Sequence, residues 1–158
     1  AGDITRSGTN AEFHLVDERI VGHKPVSLNH AQSAALPLTT ITAYEAFFDR
    51  LCIDRDGASK GESILIIGAG GGVGSIGIQL AKAAGLVVIA TASRPETTLW
   101  VNELGADHVV NHREDIVKQV RDLGIEHVDH IAIFNDMSHW EAAVELIRPQ
   151  RGIVSIDN

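Results

Sequence analysis

The stretch from Glu62 to Lys82, Glu-Ser-Ile-Leu-Ile-Ile-Gly-Ala-Gly-Gly-Gly-Val-Gly-Ser-Ile-Gly-Ile-Gln-Leu-Ala-Lys, constrains the fold more than any other part of the sequence. Ile64 to Ile67 are continuously apolar and rich in β-branched residues, the pattern of a parallel strand covered on both faces. Gly68 to Gly74 then offer a backbone almost free of side chains. Beyond the turn, Val73, Ile76, Leu80 and Ala84 recur at helical spacing, while Gly77 and Ala81 are small enough for a helix to lie close to the strand. Buried strand, glycine turn and helix therefore follow without a break.

Such a turn presents peptide N–H groups to a pyrophosphate, and the helix behind it points its positive end at the same anion. Placing the helix-packing glycine at Gly74 and the close-approach glycine at Gly71 leaves Ala69 at the first fingerprint position, giving A-x-G-x-x-G. The pattern alone also fits an ordinary strand-to-helix turn. A strand before it and a helix after it are the context that a dinucleotide-binding turn requires. Ala69, Gly70, Gly71, Gly72, Val73 and Gly74 are accordingly candidate cofactor-binding residues.

Strands and helices alternate through the rest of the chain. After the glycine helix, stopped by Gly85, strands are expected at Leu86–Thr91, His108–Val110, His127–Phe134 and Gly152–Ile156, with helices at Pro95–Leu104, Asp115–Leu123 and Ser138–Ile147. This spacing predicts an α/β fold, a doubly wound parallel sheet of the Rossmann type. The fold usually has six strands, so this reading stops one strand short. Upstream, helical patterning starts at Asn29 and runs, past Pro37, from Thr39 to Leu51; Asp54 to Gly61 form a polar loop. The first 24 residues offer one short alternating strand candidate, Ala11 to Val16, and read as the trailing piece of a different domain, with Pro25 to Leu28 as linker and residues 25–158 as the dinucleotide-binding domain. A chain cut from a longer protein is the expectation.

Composition narrows the function classes. Thirteen basic against 21 acidic residues, a formal charge of −8, argue against a general nucleic-acid or anionic-membrane surface, so any phosphate must be held locally. With Cys52 the single cysteine, no internal disulfide can form, which suits a reducing compartment. No apolar run is long enough to span a membrane and no signal peptide is evident, so a cytoplasmic location is expected.

The tip of the second strand reads Thr91-Ala92-Ser93-Arg94, with no carboxylate until Glu96. An acidic residue there would take the ribose hydroxyls of NAD, whereas a hydroxyl and a guanidinium suit a 2′-phosphate. Ser93 and Arg94 therefore favour NADP(H), against the plainer reading of Arg94 as a solvated side chain.

Three motifs in order, Ala34-Ala35-Leu36-Pro37-Leu38-Thr39-Thr40-Ile41-Thr42-Ala43-Tyr44, the glycine stretch, and Leu104-Gly105-Ala106-Asp107-His108-Val109-Val110-Asn111, make the chain resemble the medium-chain dehydrogenase/reductase superfamily. Within it the chain is similar to the quinone oxidoreductase-like branch and to zinc-type alcohol dehydrogenase-like proteins. The resemblance implies that Thr42 lies against the nicotinamide ring, that Ser93 and Arg94 form the 2′-phosphate pocket, and that His112 stands where related reductases carry a tyrosine. It places Phe134, Asn135 and Ile156 on the nicotinamide side. It also implies that residues 1–24 are the trailing piece of a catalytic, substrate-binding domain that this chain mostly lacks, and it implies a small-molecule substrate and a homodimer at full length. In the zinc alcohol dehydrogenases the residue four before that threonine is a cysteine ligand of the metal; here it is Leu38, which cannot ligate.

Other candidates read more plainly. His127-x-x-His130 and His108-x-x-x-His112 lack a convergent third ligand and are expected to be surface or strand-end histidines. Trp100 and Trp140 fall at core-facing helical positions, and Asp136 reads as a solvated strand-end carboxylate. Two functions stay open: a zinc-independent, NADPH-dependent reductase of quinones, enones or other carbonyl compounds, and a non-catalytic NADP(H)-binding sensor or structural module.

Overall fold

A computed structural model describes Thr5 and residues 8–156. The chain forms two compact units, residues 1–35 and 36–158. In the first, a 3₁₀ turn at Glu18–Ile20 is capped by Asp17, and the short helix α1 (His30–Ala34) starts in a capping box, Asn29 and Gln32 each bonding the other's backbone. Residues 1–4, 6 and 7 of the opening segment lie outside the described residues. The strand expected at Ala11 to Val16 is not formed: no strand pairs with it, and Phe13 and Leu15 are exposed. Alternation without a ladder to join does not make a strand.

The second unit begins with α2 (Pro37–Tyr44), which runs straight into a π-helical stretch, Glu45–Arg50. Then follow β1 (Ser63–Ile67), α3 (Gly72–Ala83), β2 (Val87–Thr91), α4 (Pro95–Glu103), β3 (His108–Val110), α5 (Ile116–Asp122), β4 (Val128–Ile133), α6 (Trp140–Leu146, after a 3₁₀ turn at Met137–His139) and β5 (Ile147–Ser155). All neighbouring strands are parallel, in the order β3-β2-β1-β4-β5. This is a Rossmann-type sheet.

The two-faced burial expected of β1 is realised residue by residue. Ile64 and Ile66, with Val88, Ala90 and Ala132, pack on Phe47 of the π stretch, Ile78 and Ala81 of α3, and Val101 of α4. Leu65 and Ile67, with Ile89, Ile131 and Ile133, pack on Ile116 and Val120 of α5 and on Ala143 and Leu146 of α6. Alternate residues of one strand thus feed two separate cores, which is what makes the sheet doubly wound.

Winding outward from β1 through β2 to β3, then back across to β4 and β5, reverses the strand order between β1 and β4. Crevices form where that reversal lies, at the carboxyl ends of the strands. Gly68 to Gly71 join β1 to α3 at that point.

The tryptophans depart from their expected burial. Trp100 is 45% and Trp140 43% exposed. Trp100 instead donates its indole N–H to Ser75 Oγ at 2.8 Å, tying α4 to α3 from outside. An amphipathic ring with a donor is well suited to such a half-wet position.

Candidate functional site

Gly68, at φ +81°, turns the chain out of β1 into a conformation that side chains rarely adopt. A Cβ there would also lie 3.1 Å from the backbone at Phe134 and Asn135. Its N–H donates to Thr91 Oγ1 at 3.1 Å, so the buried Thr91 hydroxyl anchors the turn to β2. Gly71 N–H returns to Gly68 O at 3.1 Å, and Gly71 is the N-cap of α3. No side chain caps that helix, leaving its first N–H groups for another acceptor. Gly74 packs α3 onto the turn: a Cβ would fall 2.5 Å from Ala69 Cα and from Gly68 O. The helix axis is thereby aimed at the crevice.

A cleft of about 390 Å³ opens on this turn. It is lined by Gly68, Gly70 and Gly71 of the turn, by Ser93, Arg94 and Thr97 after β2, by His112 and Arg113 after β3, and by Phe134 and Asn135 after β4. Arg94 is the N-cap of α4, where the Thr97 hydroxyl donates to Arg94 O at 2.9 Å and accepts from Arg94 N–H at 3.3 Å. This fixes the backbone of Arg94 while its guanidinium carries no ion pair among the described residues. A second, largely apolar cleft of about 590 Å³ shares Ser93 and Arg94 and is lined by Pro95, Leu99, Val109 and Val110.

A dinucleotide is the group this turn implies, and the residues fit it. Gly70 and Gly71 leave the crevice floor bare, an uncapped helix start faces it, and a cationic wall stands beside it. The structure brings Gly70, Gly71, Ser93, Arg94, His112, Phe134 and Asn135 together around one cleft. Ala69 is buried beneath the turn, and Gly72 and Val73 begin α3 behind it.

Thr42 and Ile156 are not among the cleft's lining residues. Thr42 donates its hydroxyl to Leu38 O at 2.8 Å within its own helix. Thr39 of α2 approaches the turn instead, its Cγ2 standing 3.0 Å from where a Cβ on Gly72 would be. Ile156 follows β5 and donates its N–H to Ile133 O at 3.3 Å. Asp136 caps the turn at Met137–His139, accepting from Ser138 N–H at 2.8 Å, and the Ser138 hydroxyl together with that N–H holds its carboxyl below the usual range.

Among the described residues no three His, Cys, Asp or Glu side chains converge as metal ligands. Leu38, where the zinc enzymes place a thiolate, is 77% exposed on α2. A leucine side chain has no atom that can ligate a metal.

His130 corrects the expectation of a surface histidine. It is 3% exposed, and its Nε2 meets Glu62 Oε2 at 2.8 Å, while Nδ1 has no hydrogen-bond partner among the described residues. Strand β4 carries it into the sheet, and the carboxylate before β1 receives it.

Sequence reasoning missed Thr91, Thr97 and Arg113. For Arg113 the signal was present, since it follows His112, but only the fold shows that the loop after β3 faces the turn after β1.

Comparison with known proteins agrees with this geometry. Residues 72–156 match the family described as zinc-binding dehydrogenase. A zinc-type alcohol dehydrogenase-like protein of Staphylococcus aureus is 46% identical over 158 residues, covering 99% of this chain and 47% of the relative. A structure from Rhizobium etli CFN 42, described provisionally as a zinc-dependent alcohol dehydrogenase, superposes with a TM-score of 0.90 at 50% identity, covering 99% of this chain and 46% of that one. The quinone oxidoreductase of Thermus thermophilus, solved also in complex with NADPH, gives a TM-score of 0.71 at 29% identity, over 84% of this chain and 42% of that one. The chain spans about half the length of the relatives it matches.

Proposed function

The chain belongs to the zinc-binding dehydrogenase family of the medium-chain dehydrogenase/reductase superfamily, and on that premise we propose that it is the cofactor-binding part of an NADPH-dependent, zinc-independent oxidoreductase. Its substrates would be quinones, enones or other carbonyl compounds. The observation that carries this reading is the cleft that the glycine turn, Ser93 and Arg94 line together.

The nicotinamide group, when bound, supplies a hydride. The residues of this chain bind and orient it. N–H groups at the start of α3 take the pyrophosphate, and the bare backbone of Gly70 and Gly71 allows the approach. Ser93 and Arg94 take the 2′-phosphate, and the apolar cleft beside them takes the adenine. Phe134, stacked on Phe47 with centroids 5.9 Å apart, and Asn135 close the nicotinamide side. With no thiolate at Leu38 to hold a Lewis acid, a conjugated acceptor, whose developing charge delocalises, suits the site better than a simple alcohol–ketone pair.

The test is NADPH consumption by the full-length protein with a panel of quinones, enones and aldehydes. Turnover with quinones or enones is expected. NADPH binding without consumption of any acceptor would instead make the protein a non-catalytic NADP(H)-binding module.

A further inference from the structure

The lining of the glycine cleft carries more positive charge than one guanidinium. Arg94 follows β2, while His112 and Arg113 follow β3, and all three line the same cleft. Behind His112 stands His139, from the turn after β4, its ring edge-on at 6.1 Å between centroids and 65° between planes. Three loops from three strands thus meet at one imidazole.

The charged and titratable groups facing His112 are His139, Arg113, Arg94 and Asp136. Burial, then His139, Arg113 and Arg94, hold His112 below the ordinary histidine range, and Asp136 opposes them. In the unliganded protein these surroundings favour the neutral imidazole. A dianion placed among Arg94, Arg113 and His112 reverses that balance, because it favours the charged imidazole.

Resting on the cofactor reading above, we propose that His112, backed by His139 and flanked by Arg94 and Arg113, is a proton-dependent third cation for the 2′-phosphate, so that the preference for NADPH over NADH rises as pH falls. His112 contributes little in its neutral form and a charge-assisted hydrogen bond in its protonated form. Burial first, and then the facing His139, lower the pH at which this happens. NADH lacks the phosphate and takes no part.

The sign follows from linkage. If the bound dianion raises the His112 pKa, binding takes up a proton, and affinity increases as pH drops through the raised value. The phosphate's own second ionisation, near pH 6, works the other way by removing charge from the ligand. A variant without the imidazole separates the two.

Calorimetric titration of the chain with NADPH and with NADH, from about pH 8 to about pH 6.5, reads the ratio of the two affinities across the histidine range. In the unaltered chain the ratio should rise roughly threefold to tenfold. In His112→Asn it should stay flat or fall, and in His139→Asn the rise should move to higher pH. The His112 Cε1 proton, followed by NMR in the unaltered chain, should titrate at higher pH with NADPH present and be unmoved by NADH. That readout needs no variant to fold. Identical pH profiles with and without the imidazole, or a His112 titration indifferent to NADPH, would overturn the inference while leaving an NADPH preference intact. Equal affinity for both cofactors at every pH would overturn it together with the NADP(H) reading.

Discussion

Gly71 and Gly74 differ in what a methyl group would meet, and this separates stability from binding. At Gly74 the added carbon would fall 2.5 Å from Ala69 Cα and Gly68 O, backbone atoms that cannot swing aside. Gly74→Ala should therefore lose about 1–3 kcal/mol of stability by urea denaturation, as overpacking does. At Gly71 the nearest atom is Gly68 O at 3.4 Å, an ordinary contact, at a backbone angle any residue adopts. Gly71→Ala should lose about 1 kcal/mol or less of stability, the usual cost of a poorer helix start, while the methyl on the crevice floor weakens NADPH and NADH alike. Equal binding losses in both variants without a stability difference would contradict this. Arg94 acts on one cofactor only. Arg94→Ala should weaken NADPH binding by on the order of 1–3 kcal/mol and leave NADH unchanged, since a single charged contact to phosphate is removed.

Among the elements, the amino edge of the sheet holds an ionic group that positions no ligand and orders the strands. Asp129, at the start of β4, accepts from Ser63 N–H at 2.9 Å and Ser63 Oγ at 3.0 Å, while Ser63 Oγ accepts from Asp129 N–H at 3.1 Å, locking β1 to β4. Arg148 of β5 reaches Asp129 at 2.5 Å, and Arg151 of β5 reaches Glu62 at 2.7 Å. Burial would raise both carboxyls. The Ser63 N–H and hydroxyl, with Arg148 and Arg151, outweigh it at Asp129, and His130 and Arg151 outweigh it at Glu62, so both lie below the carboxylate range. Because the folded values are depressed, this stabilisation is present above the unfolded carboxylate values of about 4 and is lost as pH falls through the lower folded values. The contribution of this group to stability against urea, read as the difference between the unaltered chain and a variant lacking Asp129, should thus be steady from about pH 7 to about pH 5 and weaken below about pH 4. Asp129→Ala, which strands the buried Ser63 groups, should cost on the order of 2–3 kcal/mol; Arg148, at 53% side-chain exposure, adds little of its own. An acid profile unchanged in that variant would show that the group contributes nothing.

At the scale of the whole molecule, the legible parts of the sequence were those whose causes are local. Ile64 to Ile67 and the glycines after them state a covered strand and a bare turn in consecutive residues, and Gly85 closes α3 by bonds from Gly85 and Leu86 to Lys82 and Ala81. What stayed hidden depends on residues far apart in the chain. Asp107 of the Leu-Gly-Ala-Asp motif could be noticed but not explained until the fold placed its carboxylate between Lys82 Nζ and Val88 N–H, each at 2.7 Å. Trp100 misled because periodicity reports spacing and not whether a neighbour, here Ser75, offers a polar partner at the rim. Ala11 to Val16 misled because alternation describes a strand only where a ladder exists. Metal follows the same reasoning at this scale: with Leu38 at the ligand position, analysis of the full-length protein should find no stoichiometric zinc, and chelators should leave its activity unchanged. The central claim, that the cleft beside the glycine turn takes a dinucleotide carrying a 2′-phosphate, is tested most directly by a crystal structure with NADPH. The pyrophosphate should lie over Gly70 to Gly72 at the start of α3, with the 2′-phosphate in hydrogen-bond reach of Ser93 and Arg94. A cofactor seated elsewhere, or a 2′-phosphate turned out to solvent away from both residues, would contradict it.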